Sequence, residues 1–226
     1  MNKSSFFSFF FFFLLLMTCL SAYSQDSDFG LWYEVNAEKS LSKKLDLSGS
    51  LNVRTFDNAS TVDKAFLELG ASFDPNKYLG FAGSYRIGSY LEKDDLYHRG
   101  QQIFTDIKGS VPLNNIEFST RVRFQITKRS YSREGSSNPT EYDGRIKFKG
   151  KYKIPHFPLD PYLSFEIFTP MFRSSGQFVS KSRSTAGAEY KISKKHLAGM
   201  EYTYQRDNTP HLEISNLITV SYTYRF

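Results

Sequence analysis

The sequence predicts an all-β protein, an antiparallel transmembrane β-barrel of about 12 strands with 10 as the alternative. Three observations predict it. The first is a chain-long alternation of apolar and polar side chains, the period of a β-strand. The second is the final stretch, where that alternation is most regular. Leu212, Ile214, Ile218, Val220, Tyr222, Tyr224 and Phe226 share one side, interrupted by Asn216. His211, Glu213, Ser215, Thr219, Ser221, Thr223 and Arg225 share the other, with Leu217 the one apolar exception. A last strand that runs to an aromatic terminus suits a closed barrel, where it pairs with the first strand and removes both edges. The third is the chemistry of the two faces. The polar face carries dense charge of both signs, as a wet lumen requires. The apolar face carries Tyr33, Tyr78, Tyr190, Tyr202, Tyr204, Tyr222 and Tyr224, placed for interfacial girdles. A soluble lipocalin-like barrel or sandwich would instead point its apolar face at a core.

The amino-terminal segment reads as a cleaved signal peptide over residues 1–24. Lys3 supplies its positive region, Phe6 to Leu16 is apolar apart from Ser8, and Ala22-Tyr23-Ser24 places small residues where a signal peptidase reads. The run is shorter than the ~20 residues that span a bilayer as a helix. Cys19 lacks the small preceding residues that lipidation favours, and cleavage would remove this single cysteine. Residues 25–226 then form one domain without disulfides or thiol chemistry.

The strands are read in chain order. Leu31, Tyr33, Val35 and Ala37 alternate with Trp32, Glu34, Asn36 and Glu38, and Ser40 to Lys44 turns the chain. Leu45, Leu47, Leu51 and Val53 alternate with Asp46, Ser48, Asn52 and Arg54, before a polar loop at Asp57 to Thr61. Leu67, Leu69, Ala71 and Phe73 mark a third strand, closed by the turn residues Asp74-Pro75-Asn76. The fourth sets Leu79, Phe81, Tyr85 and Ile87 against Ser84 and Arg86, and its Gly80, Gly83 and Gly88 suit a tightly curved sheet. The fifth, near Tyr97 to Gly109, is poorly phased.

The sixth is clear, with Ile116, Phe118, Val122, Phe124 and Ile126 against Glu117, Ser119, Arg121, Arg123 and Gln125. After the long loop Lys128 to Thr140, the seventh sets Ile146, Phe148 and Tyr152 against Arg145, Lys147, Lys149 and Lys151. The eighth sets Leu163, Phe165 and Ile167 against Ser164 and Glu166. The ninth sets Ala186, Ala188 and Tyr190 against Arg183, Thr185 and Glu189. The tenth sets Ala198, Met200 and Tyr202 against Glu201 and Thr203. This gives eleven segments. Because single-chain bacterial barrels have even strand numbers, either Gln25–Gly30 adds a short twelfth strand or the fifth segment lies outside the wall.

With its strands laid out, the chain resembles a family of outer-membrane proteins known only as domain of unknown function 2490. The likeness rests on G-L-W-Y-E-V from Gly30, L-S-K-K-L from Leu41, G-S-Y-R from Gly83 and R-V-R-F-Q from Arg121. It continues with S-F-E-I-F from Ser164, G-A-E-Y-K from Gly187 and the Y-T-Y-R-F end. The resemblance implies an outer-membrane β-barrel and carries no activity with it.

The candidate site is a charge network in the lumen: Arg121, Arg123, Gln125, Arg145, Lys147, Lys149, Glu166, Arg183, Glu189 and Glu201. The leading reading is a structural or binding barrel whose ion pairs fill the lumen, since unpaired buried charge is costly. The alternative is a small-solute channel whose basic wall prefers anions. A third reading is a lipid-modifying enzyme using His98 or His211, for which the sequence offers no identifiable nucleophile–base pair. We therefore expect no catalysis, no cofactor and no metal site. The net charge is +6, but the charges are interleaved along strands rather than gathered as a nucleic-acid footprint. The expected partners are outer-membrane lipid, the barrel-assembly machinery through the strand ending at Phe226, and a small solute. The expected location is the outer membrane of a Gram-negative cell.

Overall fold

The computed structural model describes residues 27–226 except 93, 131–139, 173–177 and 209–211. The expected signal peptide and His211 lie outside the described residues. Eleven strands form the wall: β1 (Ser27–Ser40), β2 (Leu45–Phe56), β3 (Thr61–Phe73), β4 (Leu79–Leu91), β5 (Tyr97–Leu113), β6 (Ile116–Arg129), β7 (Thr140–Tyr152), β8 (Leu159–Met171), β9 (Lys181–Lys191), β10 (His196–Asp207) and β11 (Glu213–Arg225). Each strand pairs antiparallel with its sequence neighbour, and β1 pairs with β11 to close the barrel.

The expected twelve antiparallel strands are thereby corrected to eleven with one parallel pair. An up-and-down chain with an odd strand number must bring its first and last strands together pointing the same way. The parallel register runs from Ser27 opposite Ile214 to Glu38 opposite Arg225. It is tied where β11 ends: the Phe226 N–H donates to the Glu38 carbonyl oxygen at 2.9 Å, and Arg225 pairs with the Glu38 carboxylate at 2.8 Å. The expected extra strand is not separate, because Ser27 to Gly30 are the first residues of β1. The poorly phased fifth segment is the longest strand, at 17 residues. Its contrast is weak because Gln101 and Thr105 face outward while Phe104 faces inward.

One face of every strand decides what solvates the barrel. Outward residues such as Leu51, Leu69, Ile103, Leu163 and Met200 are more than half exposed, whereas inward Gln102, Asp106, Arg123 and Glu166 are buried. Water does not tolerate an apolar belt of this extent, and hydrocarbon does. Closure leaves no strand edge, which is the condition for β-structure to cross a bilayer. No helix among the described residues is long and apolar enough to cross one. A 12-residue strand rises about 40 Å along its own axis, and at the tilt usual for barrels it covers the hydrocarbon core.

The two breaks in the final strand's phase are both accommodated. Leu217 faces inward and is 4% exposed. Asn216 faces outward, where the Tyr202 hydroxyl donates to its side-chain oxygen at 2.6 Å.

The two rims differ. One, the turn rim, carries the end of β11 and connections of two to six residues, the shortest being Asn114–Asn115 with Asn114 at φ 52°. The other, the loop rim, carries the start of β1 and the two longest connections, 130–139 and 172–180. On the loop rim the β2–β3 connection holds Asp57, Asn58 and Ala59 in the left-handed region, at φ 53°, 54° and 65°.

Candidate functional site

The lumen is built from the inward phase of the strands. Most of its charges meet a partner one or two strands away. Arg123 on β6 donates from Nε and Nη2 to the two carboxylate oxygens of Asp106 on β5, at 2.7 and 2.8 Å. Arg86 on β4 reaches Glu68 on β3 at 2.6 Å and Gln102 on β5 at 2.9 Å. Glu166 on β8 receives Arg121 at 2.6 Å and Arg145 at 2.9 Å. Nearer the turn rim, Glu189 on β9 accepts from Lys149 and Lys151 of β7 at 3.2 and 2.8 Å, and the Tyr162 hydroxyl donates to Glu201. The two-point contact of Arg123 on Asp106 fixes both position and orientation. These pairs link strands one or two apart along the wall.

A second pattern crosses these pairs. Each of the first nine strands contributes one residue to a belt: Trp32, Arg54, Phe66, Arg86, Phe104, Arg123, Arg145, Phe168 and Arg183, in strand order. The Arg54 guanidinium lies 4.0 Å from the Trp32 ring centre and 5.0 Å from that of Phe66. Arg86 lies 4.1 Å from Phe66 and 5.4 Å from Phe104, and Arg123 lies 3.8 Å from Phe104. Arg123 and Arg145 are direct cross-strand neighbours. Arg145 lies 4.3 Å and Arg183 4.8 Å from Phe168. Arg183 then reaches Trp32 at 5.0 Å, past β10 and β11, and closes the belt. Each arginine–ring contact is of the cation–π kind, worth ~0.5–2 kcal/mol depending on desolvation. The belt needs room behind its rings, and glycine supplies it. Gly88 is the direct cross-strand partner of Phe66, and a methyl group there would collide with Phe66 and with the Ala65 carbonyl oxygen.

Two cavities occupy the lumen. One of about 650 Å³ is lined by belt residues and by Glu34, Glu68, Lys147, Lys181, Glu201 and Asp207. The other, of about 510 Å³, lies toward the turn rim and is lined by hydroxyls (Ser48, Ser72 and Ser84), by the carboxylates of Glu38, Asp46, Glu68 and Asp106, and by Lys108, Arg121, Arg123 and Arg225. Glu68, Arg121 and Arg123 line both and form the waist between them.

Of the ten residues singled out from the sequence, eight line the larger cavity: Arg121, Arg123, Gln125, Arg145, Lys147, Glu166, Arg183 and Glu201. Lys149 and Glu189 meet each other nearer the turn rim instead. Gln125 accepts weakly from Arg145 at 3.4 Å and donates to Thr127 at 3.1 Å. Arg183 donates to Gln205 at 2.8 Å. Arg54, Arg86, Asp106 and every belt aromatic belong to the site without being among those ten. The signal for them was present: Trp32 stands in the polar phase of its strand, and Phe104 blurs the phase of β5 because it points inward among polar residues. His98 pairs with Asp94 of the β4–β5 loop at 2.7 Å.

Known proteins resemble this chain at two levels. A family model described as "Protein of unknown function (DUF2490)" matches residues 29–216. Among solved structures, the NanC porin is 8% identical, covers 82% of this chain and 90% of its own, and superposes with a TM-score of 0.50. The beta domain of the Bordetella autotransporter Brka is 12% identical over 74% of this chain and 78% of that one, with a TM-score of 0.47. The translocator domain of the autotransporter NalP from Neisseria meningitidis is 12% identical over 74% and 70%, with a TM-score of 0.44. At these identities the porin likeness speaks for the fold alone. No curated protein matches the chain.

Proposed function

Because the chain belongs to the DUF2490 family, described as of unknown function, we propose a role from its lumen: an outer-membrane β-barrel that admits small anionic solutes. The observation that carries this reading is the arrangement of the ion pairs. They lie along the wall and leave cavities of about 650 and 510 Å³ that share a waist. Ten Lys and Arg side chains line the larger cavity against seven Asp and Glu. A lining with a surplus of positive charge concentrates anions and disfavours cations.

The short connections and the carboxyl-terminal end of β11 suit the periplasmic side, and the longer loops the outside. In this orientation β1 starts at the external rim. The strand ending at Phe226 would engage the assembly machinery from the periplasm, and the tyrosine-bearing outer face would meet lipid.

A second reading is favoured by the tight set Arg123–Asp106 and Arg121–Glu166–Arg145 at the waist. These pairs would hold a closed structural barrel with a binding pocket open only to one rim. Conductance of the refolded protein in a planar bilayer separates the two. Discrete steps whose reversal potential in a salt gradient favours the anion support a passage. Folded protein that inserts and stays silent refutes it and leaves the closed barrel.

A further inference from the structure

The five belt arginines are not equivalent. Arg86, Arg123 and Arg145 each hold a carboxylate, from Glu68, Asp106 and Glu166 respectively, within 3 Å. Arg54 and Arg183 do not. The carboxylate oxygen nearest Arg54, from Glu34, is 3.9 Å away, too far for a hydrogen bond. The Arg54 side chain is 13% exposed and its Nε has no hydrogen-bond partner among the described residues. Arg183 donates to the neutral amide of Gln205 and makes no ion pair among the described residues. These two approach the same indole, that of Trp32, from opposite directions around the barrel: Arg54 from β2 at 4.0 Å and Arg183 from β9 at 5.0 Å. All three line the larger cavity.

We propose that Arg54 and Arg183, held against Trp32, form a subsite for the carboxylate or phosphate group of a small solute. The pair is compensated more weakly than the other three: Glu34 stands 3.9 Å from Arg54 without a hydrogen bond, and Arg183 meets only an amide. Two guanidinium groups brought to one ring repel each other, and burial weakens their hydration. The ring offsets part of that cost but offers no acceptor for the N–H groups. A guanidinium stacked on an aromatic plane still presents its in-plane N–H fork, which matches the paired oxygens of a carboxylate or phosphate. An oxyanion in the cavity would therefore supply what the protein gives Arg86, Arg123 and Arg145 from its own wall. Chloride, a single spherical acceptor, would not satisfy the fork in the same way. The proposal deepens the anion reading, yet it stands or falls separately, because a closed barrel with one open rim would hold the same subsite.

Trp32 is the single tryptophan of the chain, so the site contains its own reporter. The experiment is a titration of the full-length mature barrel, refolded in detergent without lipid. Its tryptophan fluorescence is followed as sodium acetate or sodium phosphate is added at ionic strength matched with sodium chloride. The expected result is a saturable change with either oxyanion and none with chloride. Arg54→Gln and Arg183→Gln should each raise the half-saturation concentration about tenfold or more, the equivalent of one charge-assisted hydrogen bond. Lys153→Gln, at the turn rim where Lys153 meets Glu117 at 2.8 Å, should leave it unchanged. A response to chloride equal to that of the oxyanions overturns the proposal, as does a response that survives Arg54→Gln. If the Arg54→Gln barrel does not refold, Arg54→Lys keeps the charge and removes the fork. Weakened binding in Arg54→Lys supports the proposal, and unchanged binding overturns it. Oxyanion binding by a barrel that is silent in bilayers would refute the passage and keep the subsite. Conductance without any Trp32 response would do the reverse.

Discussion

The belt arginines of β6 and β7 and those of β2 and β9 belong to one ring, but they are compensated differently. Arg123 and Arg145 are met by carboxylates from the neighbouring strand, at 2.7 and 2.9 Å. Arg54 and Arg183 are met by an aromatic ring, a distant carboxylate and an amide. In the first sector the protein closes its own electrostatics. Removing one partner there strands a buried charge, which costs far more than the intact pair contributes. In the second sector little would be stranded, because little is paired. Stability and solute recognition are thus carried by different arcs of the same belt.

Glu166→Gln is the change expected to weaken the barrel most, because it leaves both Arg121 and Arg145 without their carboxylate. We expect a loss at the upper end of the ~3–5 kcal/mol range for breaking a buried pair. It would be read as a lower urea midpoint for the shift in gel mobility between folded and unfolded barrel. Asp106→Asn comes next, at about 3 kcal/mol, since Arg123 alone depends on it. A loss below ~1 kcal/mol for either variant would mean that lumen water screens these pairs as it does surface ones, and the contrast between the two arcs would disappear.

Gly88→Ala tests how the belt is seated. The added methyl group meets Phe66 and the β3 backbone, and overpacking of this kind costs ~1–3 kcal/mol. Because Phe66 lies between Arg54 and Arg86, the displaced ring should also lower the affinity of the Trp32 subsite. Unchanged stability and unchanged titration together would show that the belt gives way easily and does not position the arginines.

The sequence and the structure agree where a single strand suffices. Alternation reports which face of a strand is apolar, so the wall, its inverted polarity and the inward phase of Arg121, Arg145 and Glu166 could be read directly. Strand number could not. It depends on whether Ser27 to Gly30 are continuous with Leu31 and on whether β5 joins the wall, and the parallel β1–β11 seam joins residues almost 190 positions apart. The belt was also hidden, for a related reason. Trp32 and Arg54 are cross-strand neighbours only in a register that no local pattern fixes, and Arg183 reaches Trp32 only after the barrel closes. Charge of opposite sign on adjacent strands suggests a pair by type alone. An aromatic residue in a polar phase is easily taken for noise, although here it marks where the arginines stack.

Arg54→Gln is expected to have the smallest effect on stability, and it decides most about the comparison. The substitution removes a guanidinium whose Nε has no hydrogen-bond partner among the described residues and whose nearest carboxylate oxygen is 3.9 Å away. It also relieves repulsion with Arg183 across Trp32. Against this stands the lost stacking on Trp32 and Phe66, ~0.5–2 kcal/mol for contacts of this kind, part of which a glutamine amide and its methylenes retain. The opposing contributions are similar in size, so the net change should fall within about 1 kcal/mol of zero, measured by the same urea midpoint used for Asp106→Asn. Added phosphate should stabilise the wild-type barrel, because a ligand that binds the folded state raises its stability in proportion to RT ln(1 + [L]/Kd), and it should stabilise the variant less. If Arg54→Gln instead costs as much as Asp106→Asn, Arg54 is a structural charge like Arg123, and both arcs of the belt serve to hold the wall. If it costs nothing and phosphate no longer protects, the β2–β9 arc is the part of the lumen left incomplete for a ligand.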